Sequence, residues 1–239
     1  IIFVHGKCGS GKSLIGLELA RRLGKASVVV PVKYLQKQYE HDYTKKIFLK
    51  KDNGENLKIT ILTGRNNHQC LYDTQFTADH PFLPCIVEIK KENLQLLDKY
   101  LEENPLVDAN NFETLDDIKR VSVAAACPFW SPVINKDWFG NDYGLKDAQQ
   151  IDYEGLQNKQ FAYFKRKPGC TYYEQFQSYI TSDVLVFNSK KYELEVTMDR
   201  KPVTNVEIID ECDEFLDNFS NEKKFNLDLL HSKLTPIIQ

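Results

Sequence analysis

The chain is short of several things, and each shortage narrows what it can be. Of its 239 residues only Met198 is methionine and the sequence opens on Ile1, so it reads as a trimmed domain or a processed fragment. It contains no apolar run of about 18 residues, which argues against a membrane-spanning helix, and no stretch reads as a secretory signal. Neither sign of charge dominates: 31 Lys and Arg face 34 Asp and Glu, for a net −3. Nothing global therefore advertises nucleic acid, and any DNA contact must be a local patch. The five histidines (His5, His41, His68, His80, His231) have no ligand spacing, and His5 reads as packing. No two cysteines form the close C-x₂₋₄-C pair that structural zinc prefers. Internal repeats and low-complexity tracts are missing too. The length suffices for one large or two modest domains with a sizeable core.

What is present is a phosphate-binding pattern. Gly6-Lys7-Cys8-Gly9-Ser10-Gly11-Lys12-Ser13 matches G-x-x-x-x-G-K-[ST]. Glycines let successive backbone N–H groups turn inward toward phosphate oxygens. Lys12 is expected to reach the β- and γ-phosphates of ATP, and the Ser13 hydroxyl to ligate Mg²⁺. The flanks suit the motif. Ile1-Ile2-Phe3-Val4 reads as a buried parallel strand, and Ser13 to Leu23 as an amphipathic helix (Leu14, Leu17, Leu19, Ala20, Leu23) closed by Gly24.

Further along, Ser27 to Val30 reads as a strand ended by Pro31, followed by a helical stretch with Tyr34, Leu35, Gln36 and Gln38. Leu57 to Leu62 reads as a strand stopped by Thr63-Gly64. Residues 65–175 lose this αβ rhythm: 88–120 is acidic and helical in pattern, broken at Pro105, and 127–173 is rich in aromatics, among them Trp130, Tyr143, Phe161 and Tyr172. A helix to about Ile180 and the strands Val184–Phe187 and Val206–Ile209 then restore it. The parse is an α/β nucleotide-binding domain (1–64 and 176–239) interrupted by an inserted cysteine-bearing module (65–175).

The second nucleotide motif is Ile208-Ile209-Asp210-Glu211-Cys212-Asp213. An Asp at the end of a strand can hold Mg²⁺, and the adjacent Glu can take a proton from an attacking water, so Lys12, Asp210 and Glu211 are the expected catalytic set. A solvated acidic helix start is the plainer reading. Setting aside Cys8 and Cys212, which lie inside motifs, leaves Cys70, Cys85, Cys127 and Cys170. Four thiols in a reducing compartment suggest a tetrathiolate metal site rather than disulfides. Cys85 has no motif of its own, and a buried structural cysteine is its alternative. Aromatics beside Lys165-Arg166-Lys167 suit either a small core or a track for single-stranded DNA.

These motifs, in this order, resemble the XPD/DinG-like iron–sulfur DNA helicases of superfamily 2. Asp210-Glu211-Cys212-Asp213 is similar to the DEAH/DECH-type box. Gly64-Arg65-Asn66-Asn67-His68-Gln69-Cys70 is similar to G-R-x-N-Y-L-C, whose cysteine is the first cluster ligand there. Cys127-Pro128-Phe129-Trp130 and Cys170-Thr171-Tyr172-Tyr173 resemble the third and fourth ligand segments, and Ser182–Asn188 the strand before the box. Val30-Pro31-Val32-Lys33-Tyr34-Leu35-Gln36 is similar to T-P-T-x-x-L-Q, which touches the DNA backbone. The resemblance implies a RecA-like first motor domain, a [4Fe–4S] cluster on Cys70, Cys85, Cys127 and Cys170, and DNA contacts at Lys33, Gln36 and Arg65. It also implies ATP-driven 5′ to 3′ movement on single-stranded or forked DNA. A second RecA-like domain of the same parent chain is implied as partner, with no membrane and a cytoplasmic or nucleoid location (nuclear in a eukaryote).

Val30 and Val32 stand where the family has threonines, His68 and Gln69 where it has Tyr-Leu, and the gap from Cys85 to Cys127 is long. A P-loop NTPase with a zinc module and a nucleotide-gated DNA-binding module without helicase activity are the rival expectations. Thiolate softness and wide spacing favour the cluster over zinc.

Overall fold

Three consecutive valines, Val28, Val29 and Val30, are fully buried in a strand that takes neighbours on both sides. The structure, a computed structural model, describes residues 1–7, 9–139 and 144–219, so Cys8, Tyr143 and residues 220–239 lie outside the described residues. In chain order, α1 (Lys12–Leu23) leads into β1 (Ala26–Val30), and α2 (Lys33–Glu40) precedes β2 (Ile59–Leu62). Next come α3 (Leu94–Glu103), α4 (Arg120–Ala124), β3 (Val133–Asn135), α5 (Lys136–Phe139), β4 (Gln149–Glu154) and β5 (Gln160–Lys165). Then α6 (Thr171–Glu174), α7 (Ser178–Thr181), β6 (Val184–Asn188), α8 (Ser189–Thr197), β7 (Val206–Ile209) and α9 (Cys212–Phe219) complete the described part.

β2, β6, β1 and β7 form a parallel sheet in that order, with Val28 opposite Val186 on one side and Ile208 on the other. β-Branched residues dominate its two inner strands because parallel strands are covered on both faces. β3, β5 and β4 form a separate antiparallel sheet. The chain is thus α/β, and the strands of the parallel sheet come from both sides of residues 65–175.

One face of the parallel sheet is covered by α1 and α2, with Leu17, Ala20 and Tyr39 against Val28, Val30, Val184 and Val186. On the other face Leu62, Leu185 and Phe187 share one core with Trp130, Tyr153, Phe161, Tyr163, Tyr172, Phe176 and Tyr179. The aromatic richness of 127–173 is therefore mostly core. The core of the antiparallel sheet is thus continuous with that of the parallel sheet, with Tyr153 of β4 against the Tyr179 ring at 5.6 Å. A third core joins Val87 and Ile118 to Leu97, Tyr100 and Leu101 of α3.

Two expectations need correction. Ile1–Val4 is not a strand: Ile1, Ile2 and Phe3 are almost wholly exposed, and among the described residues β7 is the outer strand beyond β1. Four apolar residues become a strand only where an edge pairs with them, which their pattern does not encode. In α1 the inner face is only Gly16, Leu17 and Ala20, while Leu14, Leu19 and Leu23 face outward. The residue that lets α1 lie so close is Gly16, where a Cβ would stand 3.1 Å from Ile208 of β7. The antiparallel sheet was not read from the sequence. β4 alternates Ile151 and Tyr153 inward, but β5 is buried at four of its six positions, so it lacks the period of two.

Candidate nucleotide site and cysteine centre

The glycine loop takes the conformation its glycines permit. Gly9 and Gly11 have φ of 78° and 84°, left-handed values that other residues adopt only with strain. Ser10 N–H closes a turn on the Lys7 carbonyl at 3.2 Å, and α1 starts directly after Gly11. The first turn of α1 carries no acidic side chain, leaving its positive end open to an anion. Lys12 Nζ donates to the carbonyls of Gly6 at 3.0 Å and Lys7 at 3.3 Å, so its ammonium lies over the loop.

Across the sheet, Asp210 N–H donates to the Val29 carbonyl at 2.9 Å, which fixes the residue just past the end of β7. Ser13 Oγ donates to Asp210 Oδ2 at 2.8 Å, and the Tyr39 hydroxyl donates to the same oxygen at 2.7 Å. Burial, and then the charge of Asp210, push the Tyr39 phenol well above its usual range, so it stays protonated and a donor. Glu211 is exposed at the turn into α9 with φ of 51°. A non-glycine residue held there costs about 1–3 kcal/mol, a strain that clusters at functional positions. Ser13 and Asp210 thus meet at one end of the parallel sheet, with Lys12 and Glu211 as their chain neighbours. Cys8 lies outside the described residues.

The expected DNA contacts divide differently. Lys33 is exposed, within 3.4 Å of Asn66 Oδ1, and remains available. Gln36 does not: its Nε2 donates to the carbonyls of Leu62 at 2.9 Å and Val186 at 3.3 Å, and its Oε1 accepts from Asn188 at 3.0 Å. Buried, it bridges the end of β2 to β6, supplying donors to carbonyls that would otherwise be buried without one. Arg65 also turns inward. It donates to Tyr173 Oη at 2.8 Å and to Cys85 Sγ at 3.5 Å, and its guanidinium lies 4.2 Å from the Tyr172 ring centroid. The basic run is likewise divided, with Arg166 buried against the carbonyls of Cys127 at 2.8 Å and Ala125 at 3.2 Å and paired with Asp147. Lys165 donates to Gln177, and Lys167 lies over Phe129.

Cys70, Cys127 and Cys170 are buried and Cys85 is half-buried. Burial pushes the Cys127 thiol up to about 12, and Cys85, Cys170 and Cys70 all add to that rise through their charge. Burial also raises the Cys170 thiol, again with Cys85 and Cys70 adding. Cys127 and Cys170 belong to one core and Cys85 packs against it, although they come from distant segments of the chain. Asp73 N–H reaches Cys70 Sγ at 3.4 Å and Arg65 reaches Cys85 Sγ, while Tyr173 N–H goes to the Cys170 carbonyl at 2.9 Å. Among the described residues, no three His, Cys, Asp or Glu side chains close tightly enough to hold a metal ion. Cys212 sits apart, exposed on α9.

Two side chains, His68 and Gln175, tie the end of β2 to the segment around Cys170. His68 accepts or donates at Thr63 Oγ1 through Nε2 (2.7 Å) and at Thr171 Oγ1 through Nδ1 (2.8 Å). Gln175 Oε1 accepts from the Thr63 N–H at 2.9 Å, and its Nε2 donates to the Thr63 carbonyl at 3.1 Å. The end of β2 is thus bound to the helical segment that follows Cys170. Among the described residues no helix is long and apolar enough to cross a membrane. No protein-family model, no curated protein and no solved structure matches the chain.

Proposed function

We propose that the chain is the first RecA-like motor domain of an ATP-driven DNA helicase of the XPD/DinG-like kind, bearing a [4Fe–4S] cluster on Cys70, Cys85, Cys127 and Cys170. The observation that carries the nucleotide half is the hydrogen bond from Ser13 to Asp210. It joins a phosphate loop to an acidic strand end, the two parts an ATP·Mg²⁺ site requires.

In this reading the loop N–H groups and Lys12 hold the phosphates, and Ser13 with Asp210 holds Mg²⁺. Glu211, exposed beside them, orients the attacking water and accepts its proton. Bound Mg²⁺ supplies charge neutralisation at the β- and γ-phosphates. A second RecA-like domain of the parent chain would complete the site.

The cysteine half is supported by Cys127 and Cys170 sharing a core with Cys85 against it, and by donors to the sulfurs of Cys70 and Cys85. Thiolate softness and wide ligand spacing suit a cluster of several irons, whose charge N–H donors to sulfur stabilise. Of the residues expected to meet DNA, Lys33 is the one whose exposure supports that role.

The test is nucleotide binding with and without Mg²⁺, followed by hydrolysis with and without single-stranded DNA. Mg²⁺-dependent ATP binding lost in Lys12→Ala is the expected result. ATP binding indifferent to both Mg²⁺ and Lys12 would overturn the reading.

A further inference from the structure

Asp210 Oδ2 takes two hydrogen bonds, and only one comes from the phosphate loop. The other donor is Tyr39, 171 positions away in sequence, on the inner face of α2. The residue is 3% exposed, packed with Leu17, Val28 and Val30, its ring tilted against Tyr43 at 5.4 Å. A buried phenol fixed in this way has one place to put its proton, and that is the carboxylate.

A carboxylate held by one donor can turn about its last torsion, which is broad and two-fold. Two donors at 2.7 and 2.8 Å on the same oxygen fix that turn. The second oxygen, Oδ1, then carries the lone pairs free to face a metal-bound water. The donors are charge-assisted, the stronger kind of hydrogen bond. Ser13 alone is a poor anchor, because in the proposed site its oxygen also serves the metal. Tyr39 has no such second duty.

We propose that Tyr39 is a positioning residue for the Mg²⁺ site, fixing Asp210 Oδ2 so that Oδ1 is presented to the ion. The inference rests on the nucleotide reading above and adds to it a residue that belongs to neither nucleotide motif. It also connects the metal site to α2, whose Gln36 clamps β2 and β6, so a shift of that helix would be felt at Asp210.

The experiment is a Mg²⁺ titration of fluorescent ATP binding to the full chain, wild type against Tyr39→Phe, with a parallel measurement in EDTA. Loss of one charge-assisted bond predicts a Mg²⁺ midpoint raised about tenfold, with metal-free binding unchanged. A purely structural role for Tyr39 would weaken both alike. Should Tyr39→Phe fold poorly, 4-fluorophenylalanine and 4-aminophenylalanine at position 39 separate shape from donation. The amino form is expected near the wild type and the fluoro form raised. Equal midpoints across these side chains, in a wild type that binds ATP with Mg²⁺, overturn the proposal alone. A wild type with no Mg²⁺-dependent binding removes the nucleotide reading beneath it.

Discussion

Ser13 and Asp210 are 197 positions apart, and a 2.8 Å hydrogen bond joins them. The register of β7 on β1 makes this possible. Val29 lies opposite Ile209, so its carbonyl receives Asp210 N–H just beyond the strand, while α1 runs back over the same strands from the loop.

Binding and chemistry should separate at this site. Lys12→Ala is expected to abolish Mg²⁺-dependent ATP binding. Glu211→Gln keeps the size of the side chain but loses the proton acceptor, so in the parent chain it should bind ATP normally and turn over at least a hundredfold more slowly. If the site takes an arginine from a second domain, as the helicase reading proposes, the 239 residues alone should bind ATP·Mg²⁺ with turnover near background, since such an arginine is worth about 10³–10⁵ in rate. Robust DNA-stimulated turnover by this chain would contradict that.

Gln36 and Lys33 should now behave as opposites. Gln36→Ala strands the carbonyls of Leu62 and Val186 and the amide of Asn188 in a buried place, and should cost about 2–4 kcal/mol in urea unfolding. Lys33→Ala should leave the urea midpoint unchanged and weaken binding to single-stranded DNA, with a smaller salt slope. A stable Gln36→Ala protein would return Gln36 to the list of DNA contacts.

Acid should act through Glu195. Burial works to raise its carboxyl, but Arg200 and Lys191 overcome this and hold it at about 2. A depressed carboxyl stabilises the fold fully above its ordinary value of 4.5, and that contribution is lost as pH falls through about 2. Glu195→Gln should leave two buried cations unbalanced, cost roughly 3–5 kcal/mol at neutral pH and flatten the acid limb of a stability–pH curve. Lys191 and Arg200 lie over Phe176, and Lys191 over Tyr172 as well, so the same variant should loosen the segment after Cys170.

The parallel sheet was legible because β-branched runs bounded by Pro31 and Gly64 signal buried strands, and the glycine loop because its φ values demand glycine. The strand expected at Ile1–Val4 was not found, since pairing decides that and composition does not. Gln36, Arg65 and Arg166 look like solvent-facing side chains in sequence. They are drawn inward by unpaired carbonyls, aromatic faces and sulfur, which arise only once distant segments pack. Tyr39 could be read as a core residue of α2, but its hydroxyl finds Asp210 through tertiary structure alone.

The helicase reading and the zinc-bearing NTPase reading share the nucleotide site, so the metal separates them. The measurement is the iron content and absorbance of anaerobically purified protein, with each Cys→Ser variant beside it. About four irons per chain and a broad band near roughly 400 nm are predicted, lost on replacing Cys70, Cys85, Cys127 or Cys170 and kept in Cys8→Ser and Cys212→Ser. A colourless protein carrying zinc, or full iron retained after Cys127→Ser, would contradict the account.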